Sequence, residues 1–275
     1  MPTLSHDQVL KGQVALVTGA GRGLGRAFAE TLATMGASIG VHGMREHGPA
    51  EYGEGTTLTA TAEAIGKEHG VKVVRTLGDL TRMEDCARIV AETEKALGPI
   101  DILVHNAGGD IAAAGGKPNP NDCVLIKEED VRAVLDRNLL STIFMCQQVA
   151  PGMMQRKRGR IVTLSSIAGY IGRENGAIYA TAKAGVIHYT RCLAAQLRPY
   201  DVTVNSIAPG GTRTGRFIGT GQGNDPKKMV TEGTLDRVAT VDEVARTVAI
   251  FAGPAGAFVT GQVLRVDGGG QLWPA

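Results

Sequence analysis

The stretch VALVTGAGRGLGRAFAETLATM, residues 14–35, decides the fold. Its first five residues, Val14–Thr18, are apolar and rich in valine, the mark of a short buried strand. A glycine-rich turn follows at 19–25, then residues 26–35 with apolar side chains at helical spacing (Leu24, Phe28, Leu32). Strand, tight turn and helix in that order aim backbone N–H groups at a helix start, where glycines let a pyrophosphate approach closely. The spacing is not G-x-G-x-x-G, which fails at Leu24 and Ala27. What stands is Thr18-Gly19-x-x-x-Gly23-x-Gly25. The bland alternative is a flexible turn. The strand before it and the helix after it favour nucleotide binding.

Strand and helix patterns alternate along the rest of the chain. Strands are expected at 36–42, 71–77, 100–105, 160–164, 202–208 and 262–266. Helices are expected at 58–69, 82–97, 128–156, 179–198 and 241–252. Residues 43–57 and 110–126 read as long loops, and 211–238, rich in Gly and Thr with several bases, as a substrate lid. Residues 1–12 read as a polar arm. Such alternation implies an α/β fold, a parallel sheet with helices on both faces, and no linker divides it.

Bulk properties narrow the function. The chain has 275 residues, 43% hydrophobic and 20% charged, enough for one sizeable core. A formal net charge of +2 gives no electrostatic case for nucleic acid or an anionic membrane as main partner. No early apolar run resembles a signal peptide, and no stretch approaches the roughly 18 apolar residues of a spanning helix. Cys86, Cys123, Cys146 and Cys192 are scattered, with no C-x-x-C. They read as reduced cysteines of a cytoplasmic protein, not as a metal site or disulfide frame.

The chemistry is expected between Ser166 and Lys183. Tyr179 and Lys183 are four apart, so on a helix they share one face. Ser166 ends the strand at 160–164. Hydroxyl, phenol and ammonium would then meet at the carboxyl edge of the sheet, where open α/β sheets bind ligands. A free tyrosine, with a pKa of about 10, is a poor base at pH 7. A lysine cation about 4 Å away, at an effective dielectric near 20, supplies roughly 4 kcal/mol. That lowers the phenol by up to about 3 units before desolvation opposes it. Taken alone, Tyr-x-x-x-Lys is a weak signal, since such pairs are common on helix faces.

Five signatures in order closely resemble the classical short-chain dehydrogenases/reductases across nearly the whole chain. They are residues 18–25, Asn106-Ala107-Gly108, Ser166 with Tyr179-Ala-Thr-Ala-Lys183, Pro209-Gly210, and 266–269. The resemblance implies one Rossmann-like doubly wound domain over 1–275 with a seven-stranded parallel sheet, NAD(H) or NADP(H), and hydride transfer between an alcohol and a carbonyl. It implies a catalytic set of Asn138, Ser166, Tyr179 and Lys183. Tyr179 is the acid/base, Ser166 holds the substrate oxygen, Lys183 binds the nicotinamide ribose, and Asn138 supports a relay water. For the cofactor it implies Thr18, Gly19, Gly21, Arg22, Gly23, Leu24 and Gly25 in the turn. Asp79 and Leu80 would lie on the adenine side, with Asn106, Ala107 and Gly108 after the fourth strand. Pro209, Gly210, Thr212 and Thr214, with Ile207 before them, would lie at the nicotinamide. Asn106 has an equally good structural reading, tying strands together. No metal is implied.

Two departures stand out. His105 occupies a place where the family usually has a second asparagine, and a structural role is favoured over a titrating one. The loop at 43–57 exceeds the family usual by roughly ten residues. In NAD-preferring relatives an acid ends the second strand; here that position is Gly43. Arg45 and Arg22 stand nearby, suited to a 2′-phosphate, so NADP is expected over NAD. Glu46 is the alternative acid. Arg173, Arg213 and Arg216 near the pocket point to a small polar or anionic substrate such as a sugar, sugar acid or hydroxy acid. The alternatives are a 3-oxoacyl-thioester or other carbonyl reductase, or a non-catalytic nucleotide sensor. A dehydratase or epimerase of the extended branch would need a longer chain. A homotetramer is expected through helices 128–156 and 179–198 and the last strand, with Met145, Cys146, Val149, Val186, Ile187 and Leu193 serving partner as well as sheet.

Overall fold

The computed structural model describes residues 8–220 and 225–273. Seven strands form one parallel sheet in the order β3-β2-β1-β4-β5-β6-β7. They are β1 Val14–Thr18, β2 Ser38–Gly43, β3 Val73–Leu77, β4 Ile102–His105, β5 Gly159–Leu164, β6 Val202–Pro209 and β7 Val263–Val266. The order reverses between β1 and β4, which opens a crevice above their carboxyl ends. Strands covered on both faces read as unbroken apolar runs, and all five residues of β1 are buried.

Helices cover both faces. On one, α1 (Gly23–Thr34), α2 (Leu58–His69), α8 (Val241–Ala245) and α9 (Val248–Ala252) bury Phe28, Leu32, Ile65, Val244 and Phe251. On the other, α3 (Met83–Leu97), α5 (Ser141–Arg156) and α6 (Ala177–Leu197) bury Ile89, Met145, Met153 and Leu193. A fully buried side chain of this size contributes about 1.5–3 kcal/mol, so these layers dominate the stability.

Several boundaries depart from expectation for local reasons. α1 begins at Gly23, inside the glycine turn, because Gly25 carries no side chain: a Cβ there would run into Gly19 O. The helix expected at 241–252 is two pieces. Thr247 gives both its amide and its hydroxyl to Val244 O, at 3.1 and 2.6 Å, and tightens the chain between them. α8 starts with a capping box in which Thr240 and Glu243 satisfy each other's backbone amides. The lid holds a short helix, α7 (Gly215–Gly219); its residues 221–224 lie outside the described residues. Residues 1–7 of the expected arm do too. Residues 8–12 are no loose arm, since Leu10 is buried and its amide bonds Met35 O.

The stretch expected as one helix at 128–156 is continuous but not uniform. α4 (Glu128–Leu135) passes into a π turn, Asp136–Leu140, before α5. Such turns accompany functional positions more often than plain helix does. The centre of this one is Asn138.

Candidate active site

The carboxyl ends of β1, β4 and β5 form the floor of the site. A hydrogen-bond chain crosses it. Thr18 Oγ1 accepts from the amides of Asn106 and Ala107 at 3.0 and 3.1 Å, so its hydrogen points to His105 Nδ1, 3.3 Å away. Ser141 Oγ donates to Arg137 O at 2.8 Å, so it accepts from His105 Nε2 at 3.2 Å. These partners define His105 as the neutral Nε2–H tautomer. Burial, and then the nearby Lys183 charge, push its pKa down to about 3. The structural reading of His105 thus fits its surroundings. His42 is a second buried histidine. Its Nδ1 accepts from Gly19 N at 3.3 Å and its Nε2 donates to Gly78 O at 3.1 Å; burial lowers it to about 4. It braces the glycine turn against the end of β3. Nothing in its sequence context marked it, because both partners are backbone atoms.

Ser166, Tyr179 and Lys183 converge above β5. Ser166 caps a 3₁₀ turn, Ile167–Tyr170, by accepting from Ala168 N at 3.2 Å. Gly176, at φ +74°, starts α6 and donates its amide to Asn121 O. One turn apart on α6, Tyr179 is partly buried and Lys183 almost wholly so. Lys183 Nζ lies 5.6 Å from the Tyr179 ring centroid and donates to Leu164 O at 2.8 Å. Burial lowers Lys183 to about 8. The expected lowering of the phenol does not result. Burial pushes Tyr179 above its ordinary pKa; the Ser166 hydroxyl opposes this, Asp110 adds to it, and Arg173 and Arg216 oppose it. Desolvation is the largest influence, and the Lys183 hydrogen bond goes to the backbone. The trio can hold a substrate oxygen and pass it a proton.

Asn138 is fully buried and its amide is engaged. Nδ2 donates to Gly109 O and Val134 O at 2.9 and 2.8 Å, and Oδ1 accepts from Gly109 N at 2.9 Å. It ties the π turn to the loop after β4, and that turn packs on α6.

The residues expected at the cofactor are gathered around the crevice, though several are taken up locally. Asn106 Nδ2 donates to Thr18 O and Gly19 O, the strand-tying role. Asp79 Oδ1 accepts from the Thr81 amide and hydroxyl, and Leu80 is buried. Gly210 N bonds Val266 O, Thr212 Oγ1 bonds Gly210 O, and Thr214 caps α7. Glu46 caps α2 through Thr59 N and lies 3.7 Å from Arg75. Arg22 and Arg45 converge on Glu51 Oε2, at 3.0 and 3.5 Å. A Cβ at Gly19 would press on Ala107 and Asn106, so the turn admits close backbone approach. The Gly23 amide already holds an anion, the carboxylate of Glu54. Turn and arginines therefore fit a group carrying phosphates.

Of the substrate arginines, Arg216 reaches the floor: Nη1 donates to Gly108 O at 3.2 Å. Arg173 is exposed at the rim, and Arg213 is held by its backbone to Ala239 O. Asp110 was missed. It accepts from Asn121 Nδ2 at 2.7 Å and bears on Tyr179, and Asn121 O holds Gly176 N. Its position directly after Asn106-Ala-Gly-Gly109 was the available signal. Met145, Cys146, Val149, Val186, Ile187 and Leu193, expected partly at a partner, are all buried in the chain's own core. Among the described residues, no group of three His, Cys, Asp or Glu side chains is placed for a metal, and no helix is long and apolar enough to cross a membrane.

The fold and this constellation define a dinucleotide-type crevice beside a proton-transfer trio. The family model described as enoyl-(acyl carrier protein) reductase matches residues 19–271. Cyclohexanol dehydrogenase of a Rhodococcus species is 35% identical, over 97% of this chain and 98% of that protein. The 3-oxoacyl-(acyl-carrier-protein) reductase of Vibrio cholerae is 34% identical, over 94% and 98%. A 7α-hydroxysteroid dehydrogenase solved with NADH and 7-oxoglycochenodeoxycholic acid superposes with a TM-score of 0.81 at 29% identity, covering 98% of each chain. The chain belongs to the short-chain dehydrogenase/reductase family. It is an NAD(P)-binding oxidoreductase acting on CH–OH or carbonyl groups.

Proposed function

We propose that the protein transfers a hydride between NADP(H) and a small polar or anionic hydroxy/oxo compound, such as a sugar, sugar acid or hydroxy acid. The observation that carries this reading is the trio Ser166, Tyr179 and buried Lys183 beside the glycine turn. Residues 19–25, Asn106–Gly108 and 209–214 would hold the dinucleotide, with Asp79 and Leu80 at its adenine end. When bound, it supplies the hydride donor or acceptor.

The chain's residues handle the proton. Ser166 holds the substrate oxygen against the phenol. Tyr179, a phenol neutral at pH 7 and kept so by its burial, donates to the carbonyl oxygen in reduction. In oxidation it must first ionise, which favours alkaline pH. Lys183 has three N–H groups and spends one on Leu164 O, leaving two for ribose hydroxyls and for the phenolate. Both Asn138 amide hydrogens are committed, so a relay water there donates to Oδ1.

The preference for NADP(H) is supported by Arg22 and Arg45, whose guanidiniums meet at one anionic oxygen as they would at a 2′-phosphate. Arg216 and Arg173 support an anionic or polar substrate. One observation favours a second reading, a 3-oxoacyl-thioester reductase. Val124, Leu125 and Ile218 are exposed at the loop and lid and would suit an acyl chain. A steady-state screen of sugars, polyols, hydroxy acids, steroids and a 3-oxoacyl thioester with both cofactors decides between them. A kcat/KM ratio favouring NAD(H) tenfold or more overturns the cofactor preference.

A homotetramer is supported by the edge strand β7, flanked by exposed Phe258, Leu272 and Trp273. A monomer by sedimentation at micromolar concentration would count against it. A single catalytic domain is supported by the one continuous sheet. A cytoplasmic location is supported by four unpaired cysteines.

A further inference from the structure

The long loop after β2 is built against the cofactor crevice. Its far end is anchored: Leu58 N bonds Glu46 O at 2.7 Å and Thr61 Oγ1 bonds Gly21 O at 3.3 Å. Between these anchors the chain makes a 3₁₀ turn, Gly48–Tyr52, and Pro49 lies against Gly21 of the glycine turn. Three side chains within four residues then reach over the crevice. Glu51 takes the Arg22 and Arg45 guanidiniums. The Tyr52 ring lies 4.3 Å from the Arg22 guanidinium carbon and 5.9 Å from that of Arg216. Glu54 accepts from Gly23 N through Oε2 and from Gly215 N through Oε1, each at 2.5 Å.

Gly23 N belongs to the first residue of α1, a twelve-residue helix whose start favours negative charge. Gly215 N belongs to the lid. One carboxylate therefore joins the glycine turn to the lid, and a Cβ at Gly23 would already touch Thr214 Cγ2 at 3.3 Å. This closes the space that a diphosphate would enter. Segment 51–54 also matches a dinucleotide in chemistry: two anionic groups and an aromatic ring, each set on an arginine or a helix-start amide.

We propose that residues 48–57 form an internal competitor of the dinucleotide, with Glu54 as its latch on both Gly23 and the lid residue Gly215. The proposal rests on the reading of the crevice as the NAD(P) site. The strap and the lid must part before cofactor seats, so the apparent dissociation constant is the intrinsic one divided by the fraction of molecules already open. Glu54→Gln keeps the size of the side chain and removes its charge, weakening two charge-assisted hydrogen bonds.

The test compares wild type with Glu54→Gln and Glu54→Ala by NADH and NADPH fluorescence titration. Deuterium uptake is followed at 48–57 and 212–220 in the cofactor-free protein. Both variants should bind both cofactors about tenfold more tightly or better. Uptake at the two segments should rise together. If wild type binds cofactor and the variants bind it equally or more weakly, the latch is wrong while the cofactor reading stands. If uptake at 212–220 is unchanged in both variants, the link to the lid is wrong. If neither wild type nor variants bind either cofactor, the reading of the crevice fails, and the proposal fails with it.

Discussion

Lys183 hands one ammonium hydrogen to Leu164 O, 2.8 Å away at the end of β5, from one helical turn beyond Tyr179. The bond fixes the cation between sheet and helix. Its removal should do more than remove a charge. Lys183→Ala is expected to weaken cofactor binding and lower kcat together, and to shift the residual oxidation to higher pH, because the phenol loses the cation one helical turn away. An unshifted alkaline limb in a pH–rate profile would place the phenol's ionisation under other control.

Tyr179→Phe removes only a hydroxyl. Positioned general acid/base catalysis contributes about 10²–10⁴-fold, and kcat should fall by that much while cofactor affinity stays near wild type. Single-turnover measurements separate chemistry from product release. A variant retaining more than about a tenth of wild-type chemistry would exclude Tyr179 as the proton donor.

His42 and His105 make the fold acid-sensitive. Both are bases whose folded pKa, about 4 and about 3, lies below the unfolded value near 6.5. Proton uptake therefore favours the unfolded chain. The stability associated with them is complete above about pH 6.5 and is lost as the pH falls toward 4 and 3. At pH 5 each accounts for about 2 kcal/mol. His105→Asn should lose less stability than wild type between pH 7 and pH 5, as urea unfolding would show. Parallel pH dependences would mean that His105 is not the group responsible.

The three arginines should separate. Arg216 touches the floor of the site and acts on Tyr179, Arg173 acts from the rim, and Arg213 is tied to Ala239 O through its backbone amide. With an anionic substrate, Arg216→Ala should raise KM about tenfold, Arg173→Ala less, and Arg213→Ala least. Unchanged KM in all three would remove the case for an anionic substrate.

The sheet was legible because buried parallel strands are written as runs such as Val14–Thr18 and Ile102–His105, bounded by turns. Ser166, Tyr179 and Lys183 were legible because strand end and helix start are local features, and parallel packing brings them together. Other features depend on distant partners. Glu54 is 31 residues from Gly23 and 161 from Gly215, and no local pattern announces either contact. The phenol's upward shift escaped a two-charge argument because burial, the largest influence, belongs to the folded molecule. The burial of the helices' apolar positions within the chain's own core escaped for a similar reason. Apolar residues such as Met145 and Val186 occupy several faces of helices that the core surrounds more fully than their spacing suggested.

The π turn at Asp136–Leu140 sets the rotational phase of everything after it. An α-helix turns about 100° per residue, and the π turn absorbs one residue without that advance, so winding the same residues as regular α-helix would swing α5 by about that angle. Cys146 and Ala150 would then take the exposed places of Gln147 and Pro151, and Gln148 would turn into the core. The extra residue lets one continuous rod serve two masters: its first half is aimed at the loop after β4, its second half at the core.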